Sequence, residues 1–198
     1  MMQAPGQPRP SITRVIVFFV AFVFSGEVVS ALLGWLGLSD FNGPIVESGA
    51  YAFLLLPLVY WADPRVFTKE LWRLPIHAWA GVVALAVLQV FINSIGPNPS
   101  LTKYRIFSAI LVAPIIEEMA RAAMQCTLLQ RIGVFWAVVT TATLWATAHA
   151  HFWIALPQQL ALSVIFVSCR KSLPATIIAH LVMNILAIVG FELSGLHP

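Results

Sequence analysis

The sequence has 198 residues, of which 60% are hydrophobic and only 10% are charged, and its mean hydropathy is +0.88. A small soluble core cannot hide so much apolar surface, because soluble domains are about half apolar and about a quarter charged. The net charge of +3 comes mostly from Lys and Arg at the ends of apolar runs, and no basic face with interleaved aromatic residues accompanies it. The composition therefore favours a protein in contact with the lipid bilayer and argues against a nucleic-acid partner.

Apolar runs divide the chain into candidate membrane spans, each of which requires about 20 residues. In chain order the seven runs are 14–38, 44–62, 77–95, 106–130, 133–156, 157–169 and 173–193. Prolines and glycines end several of them, because proline disfavours helix at the preceding residue. The sequence predicts an all-α, polytopic transmembrane bundle of about seven spans (six to eight), in a single domain of residues 14–198. A tail of residues 1–13 precedes this domain.

The distribution of Lys and Arg predicts the orientation of these spans. With the N-terminal tail in the cytoplasm, eight of the eleven cations fall inside, two fall outside and one lies within the membrane. This asymmetry follows the positive-inside rule. We therefore expect a multi-pass protein with a cytoplasmic N-terminus, in the inner (cytoplasmic) membrane of a bacterium.

The fourth run contains the most unusual polar residues of the sequence. Glu117 and Glu118 are adjacent in an apolar stretch, and Arg121 follows within one helical turn. Ionisable groups inside a membrane are costly, and each is a functional candidate by default. Pro114 precedes the pair and is expected to kink the helix there. A structural ion pair that locks helices together is the alternative interpretation.

Two later runs add further polar side chains at helical spacing. Trp145 and His149 lie four residues apart in the fifth run, and His151 follows. His180 and Asn184 have the same spacing in the seventh run and so share one helical face. In the third run, Gln89 and Asn93 are expected to form hydrogen bonds between helices.

These residue types are suited to peptide hydrolysis without a covalent intermediate. A glutamate in a low-dielectric pocket can act as a general base on water, and a histidine can position that water or protonate a leaving amine. A second histidine and an asparagine amide can donate hydrogen bonds to a tetrahedral oxyanion. Because HExxH is absent, we expect a site without metal or cofactor, although carboxylates and imidazoles can also bind zinc.

The order of these motifs resembles the CPBP family, which includes the Rce1-type CAAX prenyl proteases and related bacterial glutamic-type intramembrane proteases. The resemblance covers about residues 110–188, within a predicted catalytic core of about residues 106–193. It rests on Glu-Glu followed by Arg, aromatic-x-x-x-His and His-x-x-x-Asn on separate helices. It implies that Glu117 activates water with His149, and that His180 and Asn184 form the oxyanion side. The supporting residues that it implies are Glu118, Arg121, Trp145 and His151.

One departure from the family pattern changes an expectation. Only two residues separate the acidic pair from Arg121, where the family usually has three. A shift of one residue rotates a side chain by about 100° around a helix. We therefore expect Arg121 to face Glu117 and not Glu118.

The predicted function is that of an intramembrane endopeptidase. Its substrate would be a membrane protein or peptide that is cleaved near its membrane-embedded C-terminal region, and that is lipidated or carries a sorting tail. Two other classes remain open: a non-catalytic scaffold or immunity factor that retains the polar core for packing, and a small proton-coupled transporter that uses the same residues as a relay.

Overall fold

A computed structural model of the chain describes residues 11–37, 43–95, 110, 112–149 and 151–194. In this part of the chain the regular structure is entirely helical, which confirms the all-α prediction. The helices are α1 (Ile12–Trp35), α2 (Gly43–Ala62), the short 3-10 helix η1 (Pro64–Phe67), α3 (Ala78–Ile95), α4 (Ala113–Arg131), α5 (Gly133–Thr147), α6 (Phe152–Ser168) and α7 (Leu173–Ser194). Most of the predicted N-terminal tail lies outside the described residues, and the single-domain boundary stays a prediction.

The start of α4 differs from the prediction. The helix begins at Ala113, so that Pro114 lies in its first turn and not in its interior. Proline is well tolerated there, because the first turn has no intrahelical acceptor for its missing N–H and because its φ is already helical. The predicted kink at Pro114 stays a prediction. Glu117 and Glu118 lie in the second turn of a regular helix.

The boundary between the fifth and sixth helices was also predicted wrongly. α5 ends at Thr147 and α6 begins at Phe152, so the break falls inside the predicted run 133–156. Backbone hydrogen bonds from Ala148 and His149 to the carbonyls of Trp145 and Ala146, at 3.2 and 3.1 Å, tighten the last turn of α5. No Gly or Pro occurs between residues 134 and 156 to mark this turn in the sequence.

The described helices differ in their ability to cross a membrane. Leu173–Gly190 of α7 is long and apolar enough to do so, and the two halves of α1 meet the same criterion only together, as a bent pair. Four shorter apolar segments lie in the other described helices: Gly49–Ala62, Ala78–Asn93, Gly133–Thr147 and Phe152–Ser168. By length and composition the described residues thus provide one span, or two with α1, and the count of about seven spans stays a prediction.

Helix α4 occupies the centre of the bundle and is buried along most of its length. It packs against α1, α2, α5 and α7. Small residues such as Ala120, Ala122 and Ala123 are fully buried on it and allow neighbouring helices to approach closely. A second core forms where α3 packs along α6 and α7. The polar residues of α4 are therefore surrounded by other helices.

The connections define two ends of the bundle. One end, which we call the basic end, contains η1, the C-terminus of α4 and the turn between α6 and α7. Leu173 N–H donates to the Leu71 carbonyl at 2.7 Å, and the Ser172 hydroxyl donates to the Arg73 carbonyl, which joins that turn to the α2–α3 connection. The opposite end, the histidine end, contains the N-terminus of α4 and the turn at residues 148–151.

Candidate active site

A buried ion pair links α4 to α7. Glu118 and Arg121 are completely buried and form a salt bridge along α4. The other oxygen of Glu118 lies 3.0 Å from Nδ1 of His180, which is 3% exposed. Because a carboxylate beside an arginine only accepts hydrogen bonds, Nδ1 of His180 carries the proton. Its Nε2 is left for another partner.

The pairing of Arg121 differs from the expectation. Its guanidinium binds Glu118, three residues away, and no ion pair with Glu117 occurs in the described structure. Residues three and four apart are both neighbours on a helix, so spacing alone does not choose between the two glutamates. The pairing of Arg121 with Glu118 is determined by His180 and α6, which pack around the face of α4 that carries Glu118. The prediction that Arg121 faces Glu117 is therefore wrong.

The ion pair continues into a hydrogen-bond network that the sequence did not reveal. Nη1 of Arg121 donates to Oε1 of Gln125 at 3.0 Å and lies 3.3 Å from the Ser163 hydroxyl. The Gln125 amide donates to the Ser163 carbonyl at 3.0 Å. Both residues are fully buried. They connect α6 to the same charged group, although neither belongs to a recognisable motif. Gln125 lies one turn beyond Arg121, and this spacing is the only signal that could have identified it.

Glu117 has a different environment from Glu118. Its side chain is half-buried, and it forms no hydrogen bond with any other described residue. It is close enough to Tyr51 of α2 and to His180 for electrostatic interaction. Adjacent residues on a helix point about 100° apart, so the two carboxylates lie in different surroundings. Of the two glutamates, only Glu117 has both carboxylate oxygens without a hydrogen bond to a described residue. Both oxygens can therefore bind a water molecule or a substrate.

Trp145 and His149 form a second group at the histidine end. Nδ1 of His149 lies 2.8 Å from the Trp145 carbonyl, and because a carbonyl only accepts, Nδ1 is the protonated nitrogen. The Trp145 ring is fully buried, with its centroid 4.5 Å from that of Phe22 in α1. His149 itself is exposed. Its exposed imidazole is thus fixed at the C-terminal end of α5 through Nδ1, and Nε2 takes no part in that hydrogen bond.

The remaining predicted residues lie near the same end of the bundle. His151 is exposed and immediately precedes α6. Asn184 is half-buried and lies one turn beyond His180 along α7. Since α7 runs antiparallel to α6, this direction leads towards the histidine end. Helix order therefore brings Glu117, His149 and Asn184 towards one end, and Glu117 is close enough to His180, the partner of Glu118, for electrostatic interaction.

The predicted interhelical hydrogen bonds of α3 are confirmed. The Gln89 amide donates to Asn93 at 2.7 Å and accepts from Gln158 of α6 at 2.6 Å. The Asn93 amide donates to the Leu186 carbonyl of α7 at 2.8 Å. This polar seam joins α3, α6 and α7 on the side away from α4. It supports the helices that carry the site without contributing to it.

Metal binding receives no support from the arrangement of side chains. The described ranges contain no group of three or more His, Cys, Asp or Glu residues that could hold an ion. The site without metal or cofactor stays a prediction.

Comparison with known proteins identifies a family for the C-terminal half of the chain. Residues 99–186 match the family model described as type II CAAX prenyl endopeptidase Rce1-like. No curated protein and no solved structure matches the chain. The matched region includes α4, α5, α6 and most of α7, and with them the four predicted catalytic residues.

Proposed function

The chain belongs, through residues 99–186, to the Rce1-like family, and we propose on this basis that it is a glutamic-type intramembrane endopeptidase. Its family membership indicates a membrane-associated protein substrate. The proposed substrate is a membrane protein or peptide cleaved near its membrane-embedded C-terminal region. The enzyme would lie in a bacterial cytoplasmic membrane as a multi-pass protein with its N-terminus in the cytoplasm.

The proposal rests on the different environments of the two adjacent glutamates, Glu117 and Glu118. Glu118 is committed to Arg121 and His180, whereas Glu117 is half-buried and without a hydrogen bond to any described side chain. A general base must reach the water that it deprotonates, and a carboxylate that is already paired is unsuited to that task. Glu117 therefore acts as the base, and Glu118 holds His180.

In the proposed reaction, Glu117 removes a proton from a water molecule while the water oxygen attacks the carbonyl carbon of the scissile peptide bond. With Nδ1 of His149 donating to the Trp145 carbonyl, Nε2 of the neutral imidazole is a proton acceptor. It can take that proton from Glu117, which restores the Glu117 carboxylate, and transfer it to the leaving nitrogen. The C–N bond then breaks, leaving a carboxylate on one product and an amine on the other.

His180 and Asn184 stabilise the oxyanion in this scheme. With Nδ1 of His180 donating to Glu118, its Nε2 donates a hydrogen bond only when the ring is an imidazolium. The Glu118 carboxylate favours that charged form by its proximity. Asn184 supplies an amide donor from the next turn of α7. The ion pair of α4 thus has a chemical role in addition to its structural one.

Replacing Glu117 by Gln tests the base. We expect Glu117→Gln to reduce cleavage by a factor of about 100 or more, because a positioned general base contributes about 10²- to 10⁴-fold. The assay uses the purified full chain in proteoliposomes with two probes, a farnesylated CAAX peptide and an unlipidated transmembrane peptide. Glu27→Gln, the same change at an exposed glutamate of α1, is the control and should remain active.

The outcome separates this proposal from the non-catalytic alternative. Retained cleavage in Glu117→Gln would refute the assigned base. A wild-type chain that cuts neither probe, with Glu117→Ala folded and its cellular phenotype intact, would favour a scaffold or immunity factor. Substrate flux into proteoliposomes, without cleavage, would favour the transporter.

A further inference from the structure

The positive charges of the described structure are concentrated at the basic end of the bundle. Apart from the buried Arg121, all Lys and Arg residues of the described part lie there. They are Arg14, Arg65, Lys69, Arg73, Arg131, Arg170 and Lys171. The described carboxylates near them are Asp63 and Glu70. This end therefore carries a net positive charge.

Contacts between elements show that these cations share one end. The Arg14 guanidinium lies 5.6 Å from the ring centroid of Trp61, so the N-terminus of α1 meets the C-terminus of α2. Arg65 forms a bidentate pair with Asp63, and that hydrogen bonding raises the pKa of Arg65. The turn with Arg170 and Lys171 is joined to the α2–α3 connection by the hydrogen bonds of Leu173 and Ser172.

The histidine end has a different character. Its described polar side chains include Asn93, Glu117, Thr147, His149, His151 and Asn184, and no Lys or Arg accompanies them in the described part of the chain. Lys103 and Arg105 precede this end in the sequence and lie outside the described residues. The two ends are separated by the length of α7, whose segment Leu173–Gly190 is long enough to cross a membrane.

We propose that the histidine end opens to the extracytoplasmic side of the membrane, and that the enzyme cleaves bonds in the outer half of the bilayer. Lys and Arg flanking membrane helices are retained on the cytoplasmic side, where anionic lipid headgroups also attract them. The basic end is then cytoplasmic. Glu117 and His149, at the other end, face outwards.

This orientation specifies the substrate class. A prenylated cytosolic protein presents its C-terminus from the cytoplasmic face, next to the basic end. A secreted or membrane-anchored protein presents its transmembrane tail to the histidine end. The substrates are therefore exported proteins or peptides whose scissile bond lies near the extracytoplasmic surface. The substrate class rests on the proposed function, whereas the orientation does not.

Cysteine labelling tests the orientation independently of catalysis. The two native cysteines, Cys126 and Cys169, are buried, so the parent chain is the unlabelled control. Single cysteines are introduced at Ala148, in the exposed turn of the histidine end, and at Thr68, exposed at the basic end. In intact cells, a membrane-impermeant maleimide should label Ala148→Cys, and it should label Thr68→Cys only after permeabilisation. Labelling of Ala148→Cys only after permeabilisation, or of both positions in intact cells, would overturn the orientation.

Cleavage of two reporters tests the substrate class. Both carry the same apolar segment and tag, and they differ only in which face of the membrane is nearer to the scissile bond. We expect cleavage of the reporter with the outer bond and loss of that cleavage in Glu117→Gln. Preferential cleavage at the inner bond would refute the substrate class. Cleavage of neither reporter, together with the expected labelling, would count against the proposed function and leave the orientation standing.

Discussion

At the scale of single residues, one position along a helix separates a structural carboxylate from a candidate catalytic one. Glu118 faces α6 and α7 and is enclosed by Arg121 and His180, whereas Glu117 faces the region of Tyr51. The sequence identified both glutamates as unusual but assigned the arginine to the wrong one. The error has a physical origin, because the partner of an intrahelical arginine is selected by residues of other helices.

Removing Arg121 should be costly, because it leaves the buried Glu118 carboxylate without its arginine and with His180 as its remaining described partner. We expect Arg121→Met to lower the free energy of unfolding by about 3–5 kcal/mol, the usual cost of breaking a buried pair. The double variant Glu118→Gln/Arg121→Met should lose less than the sum of the two single changes, because no charge is stranded. Unfolding in detergent measures all three, with the exposed Lys69→Met as control. Additive losses would contradict an ion pair between these residues.

Tyr51 is the residue of the N-terminal helices that the structure brings to the candidate site. Its ring centroid lies 6.2 Å from that of Phe22, and its hydroxyl is close to Ser25 and near enough to Glu117 for electrostatic interaction. We expect Tyr51→Phe to remain folded and to lose about tenfold in cleavage rate, about 1.4 kcal/mol of transition-state stabilisation, because the hydroxyl dipole near Glu117 is removed. Tyr60→Phe, the same change at an exposed tyrosine of α2, is the control. Equal rates in both variants would exclude Tyr51 from the reaction.

At the scale of helices, the sequence predicted elements well where proline or glycine ended an apolar run. The predicted runs 44–62 and 77–95 correspond to α2 (Gly43–Ala62) and α3 (Ala78–Ile95) within one residue at each end. The turn between α5 and α6 was missed, because no Gly or Pro marks it in the sequence; His149 contacts the Trp145 carbonyl there. A local pattern of residue types does not encode such a contact.

The same limit applies to the candidate site. Glu117, His149, His180 and Asn184 were singled out as polar residues in apolar runs, and their roles were implied by the resemblance to the CPBP family. Ser163 and Tyr51 were not identified, because their relation to Arg121 or Glu117 exists only after the helices pack. Gln125 was not identified although it lies one turn beyond Arg121 on the same helix. A single sequence thus predicted the residues proposed for the chemistry better than those that hold them in place.

The close approach of α3 and α7 leads to a prediction about stability at the scale of helices. A Cβ atom added at Gly190 would overlap the side chain of Asn93, which donates to the Leu186 carbonyl at 2.8 Å. We expect Gly190→Ala to lower the free energy of unfolding by about 1–3 kcal/mol, since it displaces the amide and overpacks the contact. Gly34→Ala in α1 meets nothing within 4 Å. It should be neutral or stabilising by up to about 1 kcal/mol, because alanine favours helix. A stabilised Gly190→Ala would contradict the packing of α3 on α7.

At the scale of the whole molecule, the helices outside the matched family region complete the core around the candidate site. Phe18 and Leu55 are fully buried in the same cluster as Trp145, and Phe22 stacks directly on that ring. In a membrane these contacts gain little from the hydrophobic effect, because acyl chains are as apolar as the side chains that they would replace. What α1 and α2 contribute is a packed wall. In a bilayer these helices would separate Glu117 from acyl chains, and α2 carries Tyr51, which interacts electrostatically with Glu117.

This interpretation predicts that the region matched by the family model is not sufficient for activity. A fragment of residues 99–198 should insert into membranes but lose cleavage, because acyl chains would then contact Trp145 and Glu117 where α1 and α2 now lie. Co-expression of residues 1–98 as a separate chain should restore activity, since helices that fold independently in a bilayer can associate afterwards. The measurement is cleavage of the transmembrane probe by membranes that contain the fragment, the pair or the intact chain at equal amounts. Full activity of the fragment alone would show that the first three helices do not shape the site. A pair that associates but stays inactive would show that the covalent connection between the two halves is itself required.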